Sequence, residues 1–350
     1  MYNTPTLKQI KKMQQKLKLT RAWDIEREQS IDDENIDEHI ISDAECEIET
    51  ELWKPINPRI DTKFSYTIVD GTEKTHGAFI TDINSEECNV ILGSIVVGAV
   101  EITPQEANIL ENDAAPIIRR YKIQFTPENA KDPVENLSMQ IGNSSLMFQG
   151  IKQSQSKKSG NLNSVRNLMD NLTSLMSKEE LKLANSLADS NEMIFLDGPI
   201  SQPKNTKNNV IGYIKGMRQL YLPPNKLTIL EELNEGSRTP IFRIPHDTYG
   251  NKLSWFACIK QFDNDIYDYK AGLMRFEISE AQISIKQAIN FADATCVIFP
   301  SIAPEPFKDS RAPHNPIPVG ALEKRMKHLI GDKHIIHRGI RNYIYETKDS

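Results

Sequence analysis

Ile194-Phe195-Leu196-Asp197-Gly198-Pro199 decides how this chain is read, together with its echo at Ile68-Val69-Asp70-Gly71-Thr72. Each is a short apolar run that ends in Asp-Gly. A buried strand that ends in a carboxylate holds an oxygen ligand at the rim of a sheet. Two such strands side by side suit a hard divalent metal. Taken singly, each Asp-Gly also reads as a turn, because glycine tolerates positive φ and aspartate caps turns.

Outward from these runs, residues 63 to 103 look strand-like. Segments 64–69 and 78–83 and one or two strands within 90–102 predict an antiparallel meander that starts at Asp70. Residues 150–163, rich in Gln, Ser, Lys and Gly, read as a mobile loop. From Ser164 to about Asp189 the chain reads as a helix, with Leu168, Leu172, Met176 and Ala184 on one face. The strand 193–196 then leads to Asp197. Further strands are expected at 210–215 and 273–278, and a hairpin at 241–244 and 253–259. Helices are expected at 280–291 and 321–330, separated by a proline-rich extended loop at 300–318.

The N-terminal part differs in character. Leu7, Ile10, Met13 and Leu17 predict an amphipathic helix over 5–20, either a partner-binding helix or one packed on the main domain. An acidic stretch from Asp24 to Glu51 reads as a solvated arm or as a docking surface for a basic partner. Pro55 and Pro58 mark the boundary between an arm, 1–57, and a main domain, 58–350.

The whole chain has 350 residues, 39% hydrophobic and 26% charged, enough to bury a sizeable core. No run approaches the ~18 apolar residues of a membrane span, and Met1 to Thr20 lacks an apolar signal core. Cys46, Cys88, Cys258 and Cys296 form no C-x-x-C pair and fit reduced cytoplasmic thiols. The net charge of −6 is not that of a typical nucleic-acid binder. No G-x-x-x-x-G-K-[ST] is present, so any ATP-driven step belongs to a partner.

The carboxylates fall in a telling order. Asp70 lies on the first strand, Glu180 (or its neighbour Glu179) on the helix after the meander, and Asp197 on the next strand. Glu180 stands four residues from both Met176 and Ala184, so it shares their apolar stripe. A carboxylate there needs a metal, a partner or a route to water. Glu180 also completes S-x-x-E with Ser177, a capping box that would begin a second helix. The order is that of an RNase H-like α/β core, a mixed sheet flanked by helices. In such a core three or four carboxylates hold one or two Mn²⁺ or Mg²⁺ ions for in-line phosphoryl displacement.

In these residues the chain resembles the NurA nuclease family over most of 63–335. The resemblance rests on I-V-D-G-T at 68–72, F-L-D-G-P-I at 195–200 and G-Y-I-K-G at 212–216. It also rests on R-F-E-I at 275–278 and N-P-I-P-V-G-A-L-E-K at 315–324. It implies a manganese-dependent DNA nuclease with an RNase H-like core, a homodimer that docks on a hexameric HerA-type ATPase and processes DNA ends. Asp70 and Asp197 match the two family aspartates, and Glu180 matches the helix glutamate. Towards the C-terminus the pattern departs: Asn315 precedes Pro316 and Leu322 follows Ala321. That leaves His314, Glu323 or no residue as the fourth ligand.

Lys215 is read either as a phosphate-holding cation or as a plain strand-end lysine. Arg243 and His246 are read as DNA contacts or surface residues. Arg275 and Glu277, at i and i+2, share a strand face and pair either structurally or to shape the site. Two other functions stay open: a non-catalytic scaffold of the same fold, and the nuclease arm of a phage or plasmid defence complex.

Overall fold

The computed structural model describes residues 18–19, 44–60, 63–127, 133–154, 165–188, 193–216, 220–245, 250–262, 269–305 and 313–346. Its strands in chain order are β1 (Lys18–Leu19), β2 (Tyr66–Ile83), β3 (Glu86–Ile102), β4 (Ala107–Ile109), β5 (Ile117–Thr126) and β6 (Leu137–Ile141), then β7 (Ser144–Ser154), β8 (Met193–Asp197), β9 (Val210–Ile214), β10 (Phe242–Ile244), β11 (Lys252–Cys258) and β12 (Leu273–Ser279). The helices are α1 (Val165–Leu187), α2 (Ile285–Ile302), α3 (Ile317–Ile330) and α4 (Lys333–Glu346). The fold is mixed α/β, a multi-strand sheet flanked by helices. Strand order runs β10-β11-β12-β9-β8-β2-β3-β5-β7-β6, with β1 added to β2 and β4 to β3. The ladders β2–β3 and β3–β5 are antiparallel, whereas β2–β8 and β8–β9 are parallel.

Alternation along the strands divides the core. Val69, Val97, Ile194 and Leu196 face α1, which lays Leu181, Leu183 and Ala184 against them. Ile68, Val96, Phe195 and Tyr213 face the other way, towards Phe299 of α2 and Leu322 and Met326 of α3. Each large apolar side chain buried in this way contributes roughly 1.5–3 kcal/mol before conformational entropy is set against it.

Several expectations change. Segments 64–69 and 78–83 are two ends of one strand: β2 runs through Asp70-Gly71, with Gly71 opposite Val97 of β3. Ladder bonds over the length of β2 outweigh the local turn preference of Asp-Gly. A register shift between Thr75 and Gly77 takes up the irregularity. Strands β4 to β7 were not anticipated, and β7 claims residues 150–154 of the expected loop, whose remaining residues lie outside those described. Helix α1 runs unbroken through Ser177, so no second helix is capped there. Helix α2 starts at Ile285, capped by Ser284 with Gln287, and continues through Pro300 to Ile302. Helix α4 was not foreseen. Lys18 and Leu19 pair with Ile80 and Phe79 of β2 instead of forming a helix, and the rest of 5–20 lies outside the described residues.

The end of the acidic stretch is structural. Both Glu49 carboxylate oxygens accept from the Arg238 guanidinium at 2.9 Å, and Asp293 accepts at 2.6 Å. Arg238 is only 1% exposed, so these carboxylates compensate a buried charge. Residues 24–43 lie outside those described. All four cysteines are buried and outside any disulfide. Among the described residues no helix is long and apolar enough to cross a membrane.

Candidate functional site

The parallel ladder between β2 and β8 ends at the pair Val69–Leu196. The next residue on each strand is an aspartate, so Asp70 and Asp197 stand side by side where the two strands part. The two Asp-Gly steps differ here. Gly198 takes φ +96° and turns the chain out of β8, whereas Gly71 stays extended within β2.

Two glycines beside Asp70 let helices approach. Gly98 pairs with Asp70 across the β2–β3 ladder, and a Cβ at Gly98 would meet Leu322 Cδ1 at 2.9 Å. Helix α3 therefore rides close over this point and carries Glu323 alongside. On the opposite face, a Cβ at Gly71 would strike Glu180 Oε1 and come within 2.9 Å of Met176 Cγ. Glu180 thus approaches from the α1 side and Glu323 from the α3 side. Gly71→Ala is expected to push Glu180 off this position at a cost of about 1–3 kcal/mol. A denaturant midpoint equal to wild type would mean that α1 lies further from β2.

The electrostatics tie these groups together. Asp70 is 5% exposed, and burial followed by the charge of Asp197 raises its pKa to about 8. Lys215 opposes that rise and Glu323 adds to it. Burial raises Glu180 to about 8 as well, reinforced by Asp70 and Asp197 and opposed by a hydrogen bond from Ser177. Oxygen Oδ2 of Asp70 is buried without a hydrogen-bond partner. Lys215 Nζ sits 2.6 Å from Asp197 Oδ2 and 5.4 Å from the Tyr213 ring centroid.

Reasoning from sequence missed two neighbours. Tyr213 is fully buried, its hydroxyl lacks a partner, and burial with the surrounding carboxylates lifts its pKa well above the usual phenol value. Its place in G-Y-I-K is the one signal that pointed to it. Glu73 also acts on Glu180, and it accepts a hydrogen bond of 2.9 Å from Thr173 of α1.

The remaining site residues fall elsewhere. Glu179 turns outward to Lys182. The His314 ring meets the Leu273 carbonyl at 2.8 Å and lies within electrostatic reach of Lys215. Arg243 is held by Glu280 and Glu45, and His246 lies outside the described residues. Arg275 and Glu277 form a buried pair at 2.7 Å, with Lys252 Nζ at 2.7 Å from the same carboxylate. Glu277 also accepts from the Ile200 backbone N–H at 2.6 Å and so anchors the chain just after Asp197.

Among the described residues no group of three or more His, Cys, Asp or Glu side chains is arranged to hold a metal ion. In donor chemistry the set fits one. Carboxylate oxygens suit hard divalent cations, and Asp70 offers a buried oxygen with no partner. Asp197 raises the proton affinity of both Asp70 and Glu180, and Asp70 raises that of Glu180, a repulsion that a cation relieves.

In comparisons with known proteins, the chain matches no family model and no curated sequence. Among solved structures, it is similar to the NurA nuclease from Sulfolobus solfataricus at 10% identity. That similarity covers 78% of this chain and 81% of that one, with a TM-score of 0.39. A likeness of that extent carries no chemistry with it, and the case for function rests on the carboxylates.

Proposed function

We propose that this chain is a divalent-metal-dependent nuclease that hydrolyses phosphodiester bonds in DNA. The observation that carries the proposal is the adjacency of Asp70 and Asp197 where β2 and β8 part, within electrostatic reach of Glu180. Within that class, the particular reading is a NurA-type enzyme with an RNase H-like core. The antiparallel β2–β3–β5 meander, the helix bearing Glu180 and the parallel strand ending in Asp197 follow one another in the order that reading requires.

In this reading Asp70, Asp197 and Glu180 hold one or two Mn²⁺ or Mg²⁺ ions, with Glu323 as the fourth carboxylate in preference to His314. When bound, the metal supplies Lewis-acid stabilisation and lowers the pKa of a water molecule. Lys215 would exchange Asp197 for a phosphate oxygen and hold the scissile group. The raised proton affinities of Asp70 and Glu180 mean that protons compete with the cation. A cytoplasmic homodimer docked on a HerA-type hexameric ATPase, acting on DNA ends, belongs to the same proposal. Its support is the motif set at 68–72, 195–200, 212–216, 275–278 and 315–324 and the absence of a P-loop in this chain.

The test is degradation of end-labelled linear DNA by the purified chain. Mn²⁺ should support it and EDTA should stop it. Asp197→Asn should reduce the rate at least about 100-fold with the fold intact by circular dichroism. Wild-type cleavage by that variant would remove Asp197 from the site. A second reading, a non-catalytic scaffold of the same fold, draws on the Lys215–Asp197 ion pair, which neutralises one of the two aspartates. It predicts no metal-dependent cleavage with or without an ATPase partner.

A further inference from the structure

We propose that Tyr213 is a positioning residue of the carboxylate site: its buried hydroxyl donates to the Asp197 carboxylate when that carboxylate holds a cation. The inference rests on the metal-dependent reading above and adds a residue to it.

Strand geometry places the phenol. Asp70, Asp197 and Tyr213 stand two residues beyond Ile68, Phe195 and Ile211, which point into one core cluster. Side chains two apart share a sheet face. The three therefore form a row across β2, β8 and β9, on the side that α2 and α3 cover. Asp197 and Tyr213 are register partners in the parallel β8–β9 ladder. The Gly198 N–H donates to the Tyr213 carbonyl at 2.9 Å, so backbone bonds hold the phenol beside the aspartate. Its ring packs on Phe299 with centroids 5.3 Å apart, which fixes the direction of the side chain.

Packing accounts for the ring and leaves the hydroxyl unexplained. Tyr213 is 0% exposed, and its hydroxyl is buried without a hydrogen-bond partner. A hydroxyl there loses its hydration and gains nothing, so phenylalanine would suit the apolar wall better. The charged groups that reach Tyr213 are Asp197 first, then Asp70, Glu180 and Glu323, all acidic. They and burial keep the phenol protonated, which leaves it an O–H to donate among carboxylate acceptors.

Asp197 is the acceptor the geometry favours. Its Oδ2 accepts from Lys215 Nζ at 2.6 Å, and Lys215 reaches it across the Tyr213 ring, 5.4 Å from the centroid. A carboxylate has lone pairs for further donors. If Lys215 turns to a phosphate, Tyr213 is the neighbouring donor whose backbone and ring stay fixed. Carboxylates that ligate a metal are oriented by such outer donors, and loss of one typically costs about 10–100-fold in metal affinity or activity.

The experiment compares the full chain with Tyr213→Phe in three measurements. These are melting temperature in EDTA, Mn²⁺ affinity from the electron paramagnetic resonance signal of free Mn²⁺, and steady-state cleavage of linear DNA. Tyr213→Phe should melt at or above wild type in EDTA, because the hydroxyl has no partner there. Its Kd for Mn²⁺ should rise about 10-fold, and kcat should fall with KM for DNA unchanged. Tyr66→Phe, in the same apolar cluster, should keep wild-type Mn²⁺ affinity and kcat. Equal Mn²⁺ affinity and kcat in wild type and Tyr213→Phe overturn this inference and leave the nuclease reading standing. A wild type that binds no Mn²⁺ overturns both. A Tyr213→Phe that melts below wild type in EDTA makes the hydroxyl structural, and an equal loss of affinity in Tyr66→Phe makes the effect one of packing; either result overturns the inference.

Discussion

Asp70→Asn is expected to raise the melting temperature at pH 8.5 in EDTA and to abolish metal-dependent cleavage in the same molecule. In the folded chain the Asp70 carboxyl titrates at about 8, against an ordinary 3.8, and Glu180 at about 8 against 4.5. The folded chain therefore retains protons that the unfolded chain releases. The stabilisation this provides is complete below about pH 4 and is lost as pH rises through about 8. Asparagine keeps the shape of Asp70 and removes its share of that loss. The gain at pH 8.5 should be on the order of 2 kcal/mol, about 3 °C, and should vanish near pH 4. Mn²⁺ should raise the melting temperature of the wild type and leave the variant unmoved. Differential scanning fluorimetry across pH, with and without Mn²⁺, makes the comparison. A variant that melts below wild type at pH 8.5 would mean that Asp70 is a satisfied structural carboxylate.

The second large effect lies on β12, two strands from β8. Glu277→Ala should cost about 3–5 kcal/mol, because it strands the buried Arg275 and removes the acceptor of Lys252 and of the Ile200 N–H. Burial alone would raise the Glu277 carboxyl, but Arg275 and Lys252 hold it below its usual range. Its contribution is therefore present above the unfolded pKa near 4.5 and lost as pH falls through the lower folded value. A midpoint shift of about 4–7 °C is expected at pH 7, shrinking in acid. The double variant Arg275→Met/Glu277→Leu should recover much of the loss by replacing the pair with apolar volume. Equal melting of Glu277→Ala and wild type would mean that the pair is solvated.

The part of the site that could be read from residues was the part written in strong alternation. β8, β9, β11 and β12 are unmixed apolar or alternating runs, and α1 has a clear 3.6-residue stripe, so Asp197 and Glu180 fell on the right elements. Asp70 reads as a strand end because Asp-Gly has the residue preferences of a turn. Only the long-range ladder to β3 shows that the strand continues. Helix α4 did carry a signal in Ile336, Ile340 and Ile344 at i+4 spacing, masked by the basic residues between them. Tyr213 becomes a neighbour of the carboxylates through the β8–β9 ladder, where it pairs with Asp197, and Glu73 through the packing of α1 on β2. Arg243, a plausible DNA contact as an isolated residue, is committed to Glu45, 198 positions away, and to Glu280.

The grip of Glu49 on Arg238 bears on how the chain tolerates shortening. A fragment trimmed at Pro58 to discard the acidic segment would leave a nearly solvent-free guanidinium with Asp293 as its remaining carboxylate partner. It would also remove the strand-like bridges of Glu45 to Arg243 and of Ile56 to Arg238. Carboxylates upstream of Pro58 are accordingly part of the packed structure, and loss of solubility in a shorter fragment would report on that clasp, with no bearing on catalysis.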